Sequence, residues 1–184
     1  MIQIFSLSEA EIRPCFAQMA DIYAGAFAEA PYYESLGDVL AFSGLIPYHA
    51  QRPGFKCVAA AEGNDASRMV GFAYGYDSQP DNWWRMQVAY QMKTALAAEW
   101  LSSCFELVEL AVLPASQGQG IGGKLHDALL DGLHKRTAIL STAQAETRAL
   151  HLYRSRGWVT LMDHFIFSGA DMTFLIMGLR LGSK

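Results

Sequence analysis

The sequence predicts an α/β fold of the α+β kind, with a mixed sheet flanked by helices in a single domain. Three observations predict it. Short apolar runs of strand length alternate with longer stretches whose apolar residues recur every three or four positions. Two of the runs, Phe55–Ala61 and Arg68–Tyr76, are joined by Glu62-Gly63-Asn64-Asp65, the composition of a hairpin turn. A third, Glu106–Val112, leads through Pro114 and a glycine-rich bend into a helix-periodic stretch. With 184 residues, 52% of them hydrophobic, the chain can bury a sizeable core.

Taken in order, Ile2–Leu7 alternates and reads as a strand able to sit at a sheet edge. Ser8-x-x-Glu11 has the form of a capping box. Ile12, Phe16, Met19, Ile22 and Tyr23 follow at helical spacing, so a first helix runs to Phe27, kinked or shifted by Pro14. Pro31-Tyr32-Tyr33 marks a loop, and a second helix spans Asp38–His49 despite Gly44 and Pro47. After the hairpin, residues 77–103 read as an insertion. It opens with Pro80-Asp81-Asn82 and Trp83-Trp84, and Val88, Met92, Leu96 and Trp100 predict one helix over Val88–Leu101. Beyond the glycine bend come a helix with Leu125, Leu129 and Leu133 on one face, a strand over Thr137–Thr142, and a helix over Thr147–Arg156 stopped by Gly157. Thr160–Phe167 and Phe174–Leu181 close the chain as paired strands joined through Gly169-Ala170-Asp171, and Gly182-Ser183-Lys184 reads as a frayed end. Neither an internal repeat nor a second domain is evident.

Fourteen basic and eighteen acidic residues give a net charge of −4, which argues against nucleic acid as a partner. Cys15, Cys57 and Cys104 are odd in number and far apart, as reduced cytoplasmic thiols are. No basic-then-apolar leader opens the chain, and no apolar run approaches membrane-spanning length. The five histidines show no metal-ligand spacing, and His126 and His134 are expected on the exposed side of the long helix.

The glycine bend carries the functional signal. Gly118, Gly120, Gly122 and Gly123 fall within six residues, directly before a helix. Glycines let a backbone approach a ligand, and a helix start offers unpaired N–H groups and the positive end of its dipole, so the bend suits an anion such as phosphate. Gly118-x-Gly120-x-x-Gly123 fits a dinucleotide fingerprint, but no acid ends the next strand. Gly118-x-x-x-x-Gly123-Lys124 approaches a P-loop, but Leu125 stands where a magnesium-binding Ser or Thr belongs. A bend used only for packing stays open.

The third pattern is Gln117-x-x-Gly120-x-Gly122 after a strand ending Leu110-Ala111-Val112-x-Pro114. It resembles the pyrophosphate loop of the GNAT superfamily of acyl-CoA-dependent N-acyltransferases. Ala149-Leu-His-Leu-Tyr153-Arg-Ser-Arg-Gly157-Trp158 resembles the same family's Ala-x-x-Leu-Tyr-x-x-x-Gly-Phe segment, in the family's order. The resemblance implies the GNAT fold, a twisted, mostly antiparallel sheet with one parallel pair at the cofactor cleft. It also implies acetyl transfer from acetyl-CoA to a primary amine of a small molecule or peptide. The loop Gln117, Gly118, Gln119, Gly120, Ile121, Gly122, Gly123, Lys124 would hold the pyrophosphate. Leu110, Ala111 and Val112 would bond the pantetheine, with an N–H near Leu110 meeting the thioester oxygen.

By the same resemblance Tyr153 is the proton donor to the CoA thiolate, against its alternative as a core tyrosine. Glu106 is the first choice for general base and Glu109 the second, against a solvated or ion-paired role for either. Side chains at 106, 108, 110 and 112 share a face of a regular strand, so Glu109 points the other way unless a bulge intervenes. One departure is Glu146, where relatives often carry an asparagine that contacts the cofactor. Tyr32, Tyr33, Tyr48, Tyr74, Tyr76, Trp83 and Trp84 come from segments that border the acceptor cleft in this family, and an acidic protein favours a cationic amine. The rival reading is a domain that binds acyl-CoA as a sensor without turnover. The closing strands suggest a homodimer.

Overall fold

The computed structural model describes residues 1–63 and 65–182. Asn64 of the expected turn, and Ser183 and Lys184 of the expected frayed end, lie outside the described residues. The elements are β1 (Ile2–Leu7), α1 (Glu9–Ile12), α2 (Phe16–Phe27), α3 (Leu36–His49), β2 (Lys56–Glu62), β3 (Met69–Asp77), α4 (Trp83–Gln91), α5 (Thr94–Leu101), β4 (Cys104–Val112), α6 (Ile121–Leu130), β5 (Thr137–Ala143), α7 (Arg148–Ser155), β6 (Val159–Phe165) and β7 (Phe174–Arg180). Strand order is β1-β2-β3-β4-β5-β7-β6, mixed and mostly antiparallel, with β4–β5 parallel. Two compact units divide the chain, Met1–Tyr76 with Val108–Gly132, and Asp77–Leu107 with the chain from Leu133 on, so β4 begins in the second and ends in the first.

In the first unit, β1 pairs with β2 from Ile2↔Glu62 to Leu7↔Cys57, and β2 with β3 from Lys56↔Gly75. Ser8 and Glu11 form the capping box that starts α1. Pro14 divides the expected single helix: a 3-10 turn, Arg13–Cys15, stands between α1 and α2 because proline cannot donate to the preceding turn. α3 begins at Leu36 rather than Asp38, since Ser35 caps it with Asp38 as the reciprocal acid. Its apolar side brings Phe42 and Ile46 onto Ile12, Met19 and Ile22 of the helices and Phe72 and Tyr74 of β3, all buried. A Cβ on Gly71 would lie 2.8 Å from the Ala111 carbonyl oxygen, so the β3 backbone runs hard against β4. Lys56 Nζ donates to the Ala128 and Asp131 carbonyls at 2.9 and 2.6 Å, closing the C-terminal end of α6.

In the second unit, β4 and β5 pair over Cys104↔Thr137, Phe105↔Ala138 and Glu106↔Ile139. The helix expected over Val88–Leu101 is two helices. Met92 and Lys93 take extended ψ values of 137° and 136°, ending α4 and starting α5. The four-residue spacing is real, with Val88, Met92 and Trp100 all buried, but burial is achieved by two short helices that change direction rather than by one. β6 carries register shifts around Met162, where His164 sits at φ +49. Among the described residues, no helix is long and apolar enough to cross a membrane.

Candidate active site

The glycine bend is built as its sequence demands. Gln117 Nε2 donates to the Val112 carbonyl at 2.9 Å, folding the chain back at the end of β4. Gly118 and Gly120 then adopt φ +76 and +75. A Cβ at either would touch nothing within 4 Å, so glycine is required there by backbone conformation and not by crowding. Gly120 is the N-cap of α6 and has no side chain with which to cap it. The first-turn N–H groups of Ile121, Gly122 and Gly123 therefore have no side-chain cap, and they face the bend at the positive end of a ten-residue helix. These residues fit a diphosphate, and the extended backbone of Leu110–Val112 reaches them through a 3-10 turn at Pro114–Ser116.

Two hydrogen bonds anchor β3 against β4: Leu113 N–H to Val70 O at 2.8 Å, and Ser78 N–H to Cys104 O at 2.9 Å. Between them β4 has one residue more than β3, so an extra residue lies in β4 somewhere between Cys104 and Leu113.

The two glutamates of β4 have different surroundings. Glu106, in the second unit, is 3% exposed. It accepts from Ser78 Oγ at 2.6 Å and, on both oxygens, from Asn82 Nδ2 at 3.3 Å. Arg85 Nη1 ties the same knot, donating to the Ser78 carbonyl and hydroxyl and to the Leu101 carbonyl at 2.8 Å. Asn82 stands at the N-cap of α4 but does not cap it, because its amide serves Glu106. Glu106 thus fastens the inserted helices to β4.

Glu109 lies in the first unit, where the Leu110 backbone N–H and the Glu34 charge act on it, and among the described residues no basic side chain pairs with it. Burial pushes its carboxyl up to about 8, the Leu110 bond opposes this, and the Glu34 charge adds to it. Tyr23 of α2 hydrogen-bonds Glu34, which in turn bonds Asp38. The Tyr23 ring is fixed by stacking on Phe42, with centroids 4.1 Å apart, and by Phe27 at 4.8 Å. Neither Tyr23 nor Glu34 was marked by sequence reasoning as functional. The signal in the chain that a fixed acid begins α3 is the Ser35-x-x-Asp38 spacing, which forms a capping box.

Tyr153 lies on α7 in the second unit, 6% exposed, its ring 5.7 Å from Trp158. Thr147 Oγ1 caps the helix by accepting from Leu150 N at 3.1 Å. Glu146 pairs with Arg154 at 3.0 Å, which gives the departure from the family's asparagine a local role. Of the expected acceptor aromatics, Tyr74 and Tyr76 are buried, whereas Tyr33, Tyr48 and Trp83 are more than half exposed. Trp84 Nε1 donates to Ser141 Oγ at 3.1 Å. The expectation for the histidines is corrected. His126 is buried, with Nδ1 2.8 Å from Asp127 Oδ1, because it faces the sheet side of α6 with Leu125 and Leu129. His134 is exposed but lies beyond the end of α6. Among the described residues no group of His, Cys, Asp or Glu could hold a metal.

Comparison with known proteins identifies the family. The Acetyltransferase (GNAT) family profile matches residues 16–158, from α2 through the Tyr153 segment. A GCN5-like protein acetyltransferase of Mycobacterium tuberculosis, Rv2170, is 32% identical over 160 residues, covering 72% of this chain and 78% of that protein. A GNAT-family protein of Desulfovibrio desulfuricans superposes with a TM-score of 0.67 at 14% identity, over 98% of this chain and 99% of that one. The yncA protein of Salmonella typhimurium, solved with its cofactor acetyl-CoA, gives 0.61 at 16% identity, over 100% and 96%. The chain belongs to the GNAT family of acetyltransferases and is an acyltransferase that uses acetyl-CoA.

Proposed function

We propose that this enzyme moves the acetyl group of acetyl-CoA directly to a primary amine, on a peptide or protein or on a small molecule. The name of the mycobacterial relative favours a protein amine. The observation that carries the reading is the bend itself, with Gly118 and Gly120 in left-handed conformation delivering an uncapped helix start directly after β4. We also propose that residues 1–184 act as one catalytic domain, since the family match runs through both units.

Acetyl-CoA supplies an activated thioester. The main-chain N–H groups of 117–124 bind its diphosphate, and the Leu110–Val112 backbone aligns the pantetheine as an added strand would. Glu109 is the general base. Among the described residues no cation pairs with its carboxylate and burial raises it, so it stays basic enough to take the proton of an incoming ammonium. Glu106 is bound on both oxygens by Ser78 and Asn82, which favours a structural part for it. Tyr153 returns a proton to the departing thiolate, a contribution of ~10²–10⁴-fold for a positioned donor. Glu34 and Asp38, with no basic partner among the described residues, make the approach to Glu109 anionic and favour a cationic acceptor.

The test is thiol release from acetyl-CoA over a panel of lysine peptides, peptide N-termini and diamines, in the wild type and in Glu109→Gln. Turnover with at least one amine that the substitution abolishes supports the reading. Tight CoA binding with no release for any amine would replace it with a non-catalytic sensor.

A further inference from the structure

Behind Glu109 lies a hydrogen-bonded pair that the reaction as described leaves unused. Tyr74 of β3 is 1% exposed, and counting along β3 and β4 from the Val70–Leu113 bond brings it level with Glu109 to within one residue. Glu109 exerts the largest electrostatic influence on its hydroxyl, after burial itself. Yet the hydroxyl bonds His49 Nδ1 of α3, at 3.0 Å, and not the carboxylate. A tyrosine hydroxyl has one proton to give. Buried in an apolar core, that proton needs an acceptor, and the assignment that supplies one is the hydroxyl donating to His49 Nδ1, 3.0 Å away. Nδ1 must then be unprotonated and the ring neutral, carrying its proton on Nε2. The surroundings favour that form, since burial and then the Arg52 charge push His49 down to about 4. The ring is held edge-on to Tyr76 at 5.2 Å and tilted on Tyr74 at 5.8 Å.

We propose that His49 is a positioning residue of this active site: by accepting the Tyr74 hydroxyl proton at Nδ1, it keeps that hydroxyl from bonding the Glu109 carboxylate, which is left free to take the acceptor's proton. The proposal rests on Glu109 as the base. A tyrosine O–H donated to a carboxylate stabilises the charged form and weakens the base. His49 removes that donor without adding one. The other titratable groups facing Glu109 are Tyr23 of α2 and Glu34 before α3. Tyr23 is committed to Glu34, and Asp38 bonds Glu34 rather than Glu109.

The experiment needs no acceptor. Carboxyl-carbon NMR on protein labelled at glutamate reads the titration midpoint of Glu109, assigned by its loss in Glu109→Gln. His49→Phe keeps the ring packing and frees the Tyr74 hydroxyl. The midpoint should then fall by about one pH unit or more, the shift a new donor to a carboxylate produces. Adding Tyr74→Phe should return it to the wild-type value. An unchanged midpoint in His49→Phe, or no recovery in the double variant, overturns the proposal. Nitrogen NMR of the unmodified protein gives a second reading that does not depend on a variant folding. An Nε2–H tautomer at His49 supports the assignment, and an Nδ1–H tautomer refutes it. Full turnover in Glu109→Gln would instead overturn the base assignment, and with it the role of His49, while leaving the tautomer result standing.

Discussion

Replacing Gly120 by valine separates the cofactor grip from the fold. Gly120 sits at φ +75, and a Cβ there would have nothing within 4 Å, so valine meets no steric wall. The penalty is conformational, about 1–2 kcal/mol for an L-residue in this region and more for a β-branched one. In a chain of this length each kcal/mol moves Tm by roughly 2–4 °C, so melting should fall by only about 2–8 °C if valine holds the bend. The backbone can escape the strain by leaving φ +75. The first N–H groups of α6 then turn away from the diphosphate. Hydrogen bonds to charged groups contribute about 1.5–3 kcal/mol each, so losing two weakens CoA binding by about 3–6 kcal/mol, or ~10²–10⁴-fold. Calorimetric titration of CoA, paired with thermal melting, reads both quantities. Gly120→Asn is the control, because asparagine tolerates the left-handed conformation, and it should lose far less affinity. A valine variant that melts normally and binds CoA within threefold of wild type would refute the assignment of the bend.

Glu109→Gln should lower kcat by about 10²-fold or more, whereas Glu106→Gln should lower melting temperature more than turnover, measured on the same amine. The acid limb of kcat/KM should lie near pH 8, where Glu109 titrates, and Glu34→Gln should move it to lower pH because a charge that raises the carboxyl is removed. The sign for stability is the reverse of an ion-paired acid. Glu109 is raised in the folded state, so its contribution weakens as pH climbs from the ordinary carboxyl range toward 8, and Glu109→Gln should raise Tm more at pH 9 than at pH 5. Tyr153→Phe should slow thiol release while leaving the CoA dissociation constant within about threefold, read by calorimetry. Lys56→Met should leave the carbonyls of Ala128 and Asp131 uncapped and lower stability by about 1–3 kcal/mol in denaturant unfolding.

The elements that local physics decides were legible in the sequence. The capping box at Ser8, the alternating strands, the hairpin and the glycine bend all form within a residue or two of where pattern placed them. So did the Tyr153 helix, because Thr147 and Gly157 mark its ends in the chain itself. What escaped was set by contacts distant in sequence. The break at Met92–Lys93 carries no proline or glycine, and only the burial of both halves produces it. The hydrogen bonds of Glu106 come from Ser78 and Asn82, more than twenty residues away, and nothing in the local pattern announces them. Tyr23, Glu34 and His49 read as ordinary helix and loop residues until Glu109 is placed beside them.

Gly71 contributes no atom to chemistry, yet a single added methyl there would press on the carbonyl of Ala111 at 2.8 Å and displace β4, the strand we propose aligns the pantetheine. Catalysis here therefore has a second kind of vulnerability. A variant can retain every reactive group, every phosphate donor and a normal melting curve, and still misplace the thioester by the thickness of one hydrogen-to-carbon exchange on the neighbouring strand.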